Sequence, residues 1–177
     1  SCWTRCESVV PRRLVRSAVV VQARTGSSRL PGKVLSDLGG RPMLAFQLER
    51  LRSTDHLAGS ALAVATSTLD QDDPVADLAE SLGVEVVRGS ELDVLSRFES
   101  ASEQLGADHL VRLTGDCPLS DPRLVARVLD LHLDRAADYT SNVFPRTYPQ
   151  GLDVEVVSAP ALRMAAAEAS DPVEREH

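Results

Sequence analysis

An α/β protein with a mostly parallel sheet flanked by helices is the fold class this sequence predicts, and three observations predict it. Strand-like and helix-like segments alternate along the chain. The first strand-like run, Ala18-Val19-Val20-Val21, is apolar and β-branched without alternation, the pattern of a strand buried on both faces. A loop rich in glycine, serine and cations, Gln22 to Lys33, follows it directly.

The remaining elements read in order. Past Gly39, Gly40 and Pro42, apolar Leu44, Leu48 and Leu51 recur at helical spacing, with Pro where a first turn tolerates it. Leu62 to Ala65 reads as a second strand. Asp73-Pro74 opens a helix whose buried face is Val75, Leu78, Ala79 and Leu82, closed by Gly83. Val84 to Val87 is a third strand, Leu92 to Leu105 a helix, His109 to Leu113 a fourth strand and Pro122 to His132 a helix. Asp121 stands where an N-cap belongs, just before that proline. Tyr139 and Leu152 to Val157 suggest further strands, and an Ala-rich helix starts at Ala159.

At 177 residues the chain fits one domain, read here as residues 18–177. Residues 1–17 begin without Met and lack the apolar core of about 7 to 15 residues that a signal peptide carries. They read as an extension, disordered or cloning-derived. No run approaches the roughly 18 apolar residues of a membrane helix, so a soluble protein with no membrane partner is expected, cytoplasmic by default. Formal charge is −7; Arg5, Arg12, Arg13 and Arg16 against Glu7 give the extension +3, which leaves −10 for the rest. An acidic body argues against nucleic acid. Between Arg24 and Arg52, however, six cations face only Asp37 and Glu49, a local basic region suited to a small anion. Three cysteines give no disulfide framework: Cys2 and Cys6 lack further partners at zinc spacing, and Cys117 reads as a small packed residue. The four histidines share no spacing with a Ser or Cys nucleophile, which gives hydrolase triads little support.

In an open parallel sheet, ligands collect outside the carboxyl ends of the strands. The chemistry-bearing residues fall there. Among eighteen arginines there is one lysine, Lys33, and it closes the first loop. Lys is a compact point charge where Arg is a planar fork, so Lys33 looks chosen for phosphate. Gly26, Ser27, Ser28 and Gly32 permit close backbone approach, and Arg24, Arg29 and Lys33 can neutralise several phosphate charges. The spacing is neither Walker A nor Gly-x-Gly-x-x-Gly. Thr66-Ser67-Thr68 follow the second strand, Arg88-Gly89-Ser90 the third, and Thr114-Gly115-Asp116 the fourth, so four loops converge on one pocket. Asp116 could hold Mg²⁺, which needs one or two protein carboxylates plus phosphate oxygens; it could equally be a turn residue. Asp153 and Glu155, two apart, would share one strand face and could bind hydroxyls or help with metal, or form a solvated edge.

These residues resemble the cytidylyltransferases that activate acidic sugars, related to the CMP-sugar synthetases, and most of all the spore-coat polysaccharide biosynthesis cytidylyltransferase-like family. The likeness runs from about Ala18 onward, through Gln22-Ala23-Arg24, Ser28-Arg29, Lys33, Gly40 to Leu44, Ala65 to Ser67, Arg88 to Leu95, Gly115 to Pro118 and Gly151 to Glu155. The resemblance implies a GT-A-like, Rossmann-like nucleotide-diphospho-sugar transferase fold. It implies that Arg24, Arg29, Lys33 and Asp116 are catalytic, with CTP phosphates on the first loop and Mg²⁺ on Asp116. It implies a nucleotide site of Gln22, Ala23, Arg24, Ser28, Arg29, Lys33, Ala65, Thr66, Ser67, Arg88, Gly89 and Ser90, and a sugar site of Gly151, Asp153 and Glu155. Relatives continue past His177 and carry a second metal-site Asp there, which this chain lacks; Asp153 is the candidate substitute. A homodimer is the candidate assembly. The activity so implied is transfer of CMP from CTP to a sugar, with pyrophosphate released, in surface polysaccharide synthesis. Two alternatives stay open: a nucleotide-binding domain without turnover, and a GT-A glycosyltransferase. The latter would need an Asp-x-Asp metal motif, whose nearest match, Asp70-Gln71-Asp72, reads as a solvated approach to a helix.

Overall fold

The structure, a computed structural model, describes residues 15–27 and 30–176. Six strands form one sheet: β1 (Ser17–Gln22), β2 (Ala61–Ser67), β3 (Glu85–Gly89), β4 (His109–Thr114), β5 (Tyr139–Ser141) and β6 (Glu155–Ser158). Their order is β3-β2-β1-β4-β6-β5. β3, β2, β1 and β4 run parallel, whereas β6 lies antiparallel to β4 and β5 antiparallel to β6. The all-apolar β1 run is explained by its place, hydrogen-bonded on both edges and covered on both faces.

Helices cover the two faces. α1 (Met43–Arg52), α2 (Asp73–Ser81) and α4 (Pro122–Asp134) close over Val19, Val21, Val64, Val111 and Leu113. α3 (Val94–Gln104) and α5 (Ala159–Glu168) close over Ala18, Val20, Ala65, Val87 and Leu110 on the other face. A short α6 (Pro172–Glu176) follows. Cap chemistry sets the helix starts. The Asp121 side chain accepts from Arg123 N at 2.9 Å, and Asp93 accepts from Ser96 N at 2.9 Å. That second cap starts α3 at Val94 and corrects the expected start at Leu92.

Two further boundaries differ from expectation. β1 begins at Ser17, inside the expected extension, of which residues 1–14 lie outside the described residues. β6 is shorter than the expected strand from Leu152: Leu152 N turns back to Pro149 O at 3.2 Å, and the Asn142 side chain takes Leu152 O and Val154 N. Asp153 therefore precedes the strand, and the expected shared strand face with Glu155 does not form.

From β1 the chain steps outward to β2 and β3, then returns to place β4 on β1's other edge. The loops leaving β1 and β4 thus diverge, and the crevice between them is the switch point where open α/β sheets take ligands.

Candidate active site

At the switch point the two central strands stay close past their ends. Gly115 N donates to Gln22 O at 2.8 Å, and a Cβ on Gly115 would lie 2.9 Å from the Ala23 Cβ. Glycine is therefore required there, and Asp116 emerges directly beside the first loop. Lys33 enters from that loop as the first residue of a 3-10 turn, Lys33–Leu35, behind Gly32 in the left-handed region at φ 68°. Its Nζ donates to Asp116 Oδ2 at 2.5 Å, joining residues 83 apart in sequence. Both side chains remain partly exposed, at 28% and 40%.

Electrostatics keep Asp116 ionised. Burial raises its pKa, but the Lys33 hydrogen bond, the Thr114 hydroxyl and the Lys33 charge together hold it below the ordinary carboxylate value. The loop itself is fixed from below. Gln47, fully buried on α1, donates to Thr114 O at 3.0 Å and to Ser120 Oγ at 3.1 Å, and Ser120 Oγ donates to Cys117 O at 2.8 Å. The Cys117 thiol, half-buried between Thr114 and Asp116, is pushed up by burial and by the charges of Asp116 and Asp153. It packs, as its size suggests.

A second carboxylate organises the first loop. Asp72 is fully buried at the turn before α2, which overturns its reading as a solvated residue. Its Oδ1 accepts from Thr25 N and from Thr25 Oγ1, both at 2.7 Å, and its Oδ2 accepts from Ser67 Oγ. Burial raises the Asp72 pKa, but the Ser67 and Thr25 bonds outweigh it and lower the value. Thr25 O in turn receives Ser27 N and Gly32 N at 2.8 Å each, so the loop closes on an anchored residue. Arg24, next to that anchor, lies 3.8 Å from Glu91 and 3.6 Å from Glu176, distances too long for hydrogen bonds. Ser28 and Arg29 lie outside the described residues.

The other expected nucleotide residues divide. Ala65, Thr66 and Ser67 are fully buried at the end of β2, where Ser67 serves the Asp72 clamp. Arg88 binds Ser67 O at 2.9 Å, Leu69 O at 3.2 Å and the Asp73 carboxylate at 2.6 Å, tying β3 to the β2 loop. Gly89 and Ser90 lead into α3, with Ser90 Oγ accepting from Asp93 N at 3.1 Å. Gln22 Oε1 accepts from Arg112 Nε at 3.3 Å and so turns toward the α3 and α5 face.

That face carries a cavity of about 640 Å³ between α3, α5, α6 and the sheet. Arg112, Glu155 and Tyr139 form its polar floor: Arg112 Nη1 donates to Glu155 Oε2 at 2.8 Å and the Tyr139 hydroxyl to Glu155 Oε1 at 2.7 Å. Burial and the Glu155 carboxylate push the Tyr139 hydroxyl up to about 12. Asp153 instead pairs with Arg146 through both its oxygens, and Gly151 turns at φ 92° in the preceding loop. The structure thus brings Lys33 and Asp116 together and puts Arg24 beside the anchored Thr25. It gives Glu155 its own cavity and leaves Asp153 bound to an arginine.

Sequence reasoning missed Gln47, Asp72, Arg112 and Tyr139. Gln47 carried a usable signal, a polar residue on the apolar face of an amphipathic helix. For divalent metal, the described residues hold no group of three or more His, Cys, Asp or Glu arranged as ligands. What they offer is a partly exposed, ionised carboxylate, Asp116, whose Oδ1 is not the oxygen held by Lys33. Such a donor suits a hard cation that takes its remaining ligands from phosphate and water.

A family model described as cytidylyltransferase matches residues 18–170, and the chain belongs to that family. It is 41% identical over 158 residues to an uncharacterized protein of Methanocaldococcus jannaschii, covering 89% of this chain and 63% of that protein. It is 38% identical over 142 residues to the spore coat polysaccharide biosynthesis protein SpsF of Bacillus subtilis, covering 79% and 58%. A solved cytidylyltransferase from Leptospira borgpetersenii serovar Hardjo-bovis superposes with a TM-score of 0.86 at 35% identity, covering 92% of this chain and 68% of that one. The chain therefore spans about three-fifths of the length of the two curated relatives. No helix among the described residues is long and apolar enough to cross a membrane.

Proposed function

We propose that this chain carries the nucleotide-transfer site of a cytidylyltransferase that moves CMP from CTP to a sugar. A sugar oxygen forms a bond to the α-phosphorus of CTP, the bond from that phosphorus to the bridging oxygen breaks, and pyrophosphate leaves; the sugar hydroxyl passes its proton to solvent. The observation that carries this reading is the 2.5 Å contact of Lys33 with Asp116 across the switch point. It puts a cation for phosphate beside a carboxylate for the phosphate's counter-ion.

Little covalent work falls to the protein. Arg24 and Lys33, with Arg29 of the same loop, hold the triphosphate in line and stabilise charge on the departing pyrophosphate. Asp116, with Asp153 as the second carboxylate, would hold a divalent cation, Mg²⁺ in this reading. When bound, that ion neutralises phosphate charge. Ala65 to Ser67 and Arg88 to Ser90 border the nucleoside. The acceptor sugar occupies the cavity floored by Arg112, Glu155 and Tyr139, where Glu155 accepts from its hydroxyls; Gly151 and Asp153, which do not line that cavity, take no part in holding the sugar in this reading. A cytoplasmic enzyme, supplied with CTP, and a homodimeric assembly belong to the same reading; light scattering on the purified chain tests the assembly.

Purified protein given CTP, Mg²⁺ and a panel of acidic sugars is expected to release pyrophosphate with at least one of them. Failure to bind CTP in calorimetry, with or without Mg²⁺, would overturn the proposal. The pairing of Asp153 with Arg146 favours a second reading, nucleotide binding without turnover. CTP affinity that is indifferent to Mg²⁺, with silence across the sugar panel, selects it.

A further inference from the structure

The short helix α6 is anchored at one residue and meets the candidate site through the next. Arg175 Nε donates to Asp93 Oδ2 at 2.8 Å, and its Nη1 donates to Ala166 O at 3.0 Å and to Ala169 O at 2.9 Å. That anchor joins α6 to the N-cap of α3 and to the end of α5. Glu176, one residue on, lies with its Oε1 3.6 Å from Arg24 Nη2. Glu176 also lines the cavity floored by Arg112, Glu155 and Tyr139. One carboxylate thus borders both the loop assigned to the triphosphate and the cavity assigned to the sugar.

In the free protein two carboxylates share the Arg24 guanidinium, Glu176 at 3.6 Å and Glu91 at 3.8 Å. Glu91 lies against the loop itself, where a Cβ on Gly26 would stand 3.0 Å from its Oε1. The other charges around this corner are engaged elsewhere or repel: Asp72 accepts from Thr25 and Ser67, Asp93 pairs with Arg175, and Arg97 bears on Arg24 with like charge. Neither contact of Arg24 is within hydrogen-bond distance, and the three side chains are between 29% and 41% exposed, so both pairs part at little cost. A phosphate offers Arg24 a charge-assisted, bidentate bond that neither glutamate makes.

We propose that Glu176 is an internal competitor of the triphosphate, holding Arg24 in the free protein and giving it up when the nucleotide arrives. The inference rests on the nucleotide reading above, which gives Arg24 to the triphosphate. Arg175 keeps α6 in place, so one side chain changes partner and the helix stays where it is. While Glu176 is on Arg24 the loop is short of one cation, and the apparent affinity for the incoming anion falls by the fraction of time that Arg24 is free. The exchange therefore tunes how tightly the first loop takes a polyphosphate.

Calorimetric titration of pyrophosphate into the full chain tests this, because pyrophosphate presents the charges without base or sugar. Glu176→Gln keeps the shape and removes the charge; it is expected to tighten pyrophosphate by about two- to fivefold, the scale of a partly exposed ion pair. Glu174→Gln, the same change of charge two residues earlier on α6, should shift the affinity by less than about 1.5-fold, since solvent and salt screen a charge that makes no contact with Arg24. In an Arg24→Gln chain, which binds pyrophosphate more weakly, adding Glu176→Gln should bring no gain, as expected when one contact carries the effect. An unchanged or weakened affinity in Glu176→Gln, an equal gain in Glu174→Gln, or a gain that survives in the Arg24→Gln chain overturns the inference while the nucleotide reading stands. A wild-type chain that binds neither pyrophosphate nor CTP overturns both.

Discussion

The Lys33 ammonium donates to the Asp116 carboxylate at 2.5 Å, joining the loop after β1 to the loop after β4 across the point where the sheet reverses its order. Partly exposed as it is, this pair is a poor source of stability. Its position gives it a different value. A cation and an anion that satisfy each other in the free protein stay fixed in place, ready to exchange one another for a phosphate and its counter-ion.

Lys33→Met is therefore expected to leave the melting temperature nearly unchanged and to lower kcat/KM for CTP by about 10²- to 10³-fold, the effect of losing one charged contact in the transition state. Lys33→Arg should recover only part of this, since a planar fork does not replace a point charge. Steady-state pyrophosphate release with both variants checks it. Wild-type rates in Lys33→Met would remove the pair from the mechanism.

Asp72 should show the opposite balance. Replacing it with Ala leaves Thr25 N and the fully buried Ser67 Oγ without their acceptor, while Thr25 Oγ1 keeps Gln71 O at 3.1 Å. A loss of about 2 to 4 kcal/mol of unfolding free energy is expected, together with a raised KM for CTP because the first loop loses its anchor. Urea denaturation of Asp72→Ala and Asp72→Asn measures the first part, and an unchanged midpoint in both variants would contradict the clamp.

Stability should also fall on mild acidification, for a reason far from the candidate site. His109 Nδ1 and His132 Nε2 lie 2.9 Å apart, with His132 Nδ1 3.0 Å from Thr140 Oγ1. Burial lowers both imidazole pKa values, His132 further through His109, against the opposing charges of Asp108 and Asp138. Below the ordinary value of about 6.5 the unfolded chain takes up protons that the folded pair resists, so the unfolded state gains and stability is lost as pH falls from about 7 to 5. Denaturation midpoints across that range should drop in the wild type. The drop should shrink in a chain carrying His109→Gln and His132→Gln, and an equal slope in both chains would assign the acid sensitivity elsewhere.

By itself the sequence determined what depends on neighbours a few residues apart. The β-branched run of β1, the cap at Asp121, the stop at Gly83 and the lone lysine closing the first loop all follow from periods of two and 3.6 residues and from local cap chemistry. Those signals also put Lys33 and Asp116 at the right ends of the right strands. Tertiary structure alone decided that the two touch, because sheet order brings together residues 83 apart. It likewise decided which polar residues are buried. Asp72 and Asp70 look alike in sequence, yet Asp72 is buried because Thr25 and Ser67, brought in from the ends of β1 and β2, supply its donors. Whether a polar group is buried depends on partners that only the packed sheet assembles.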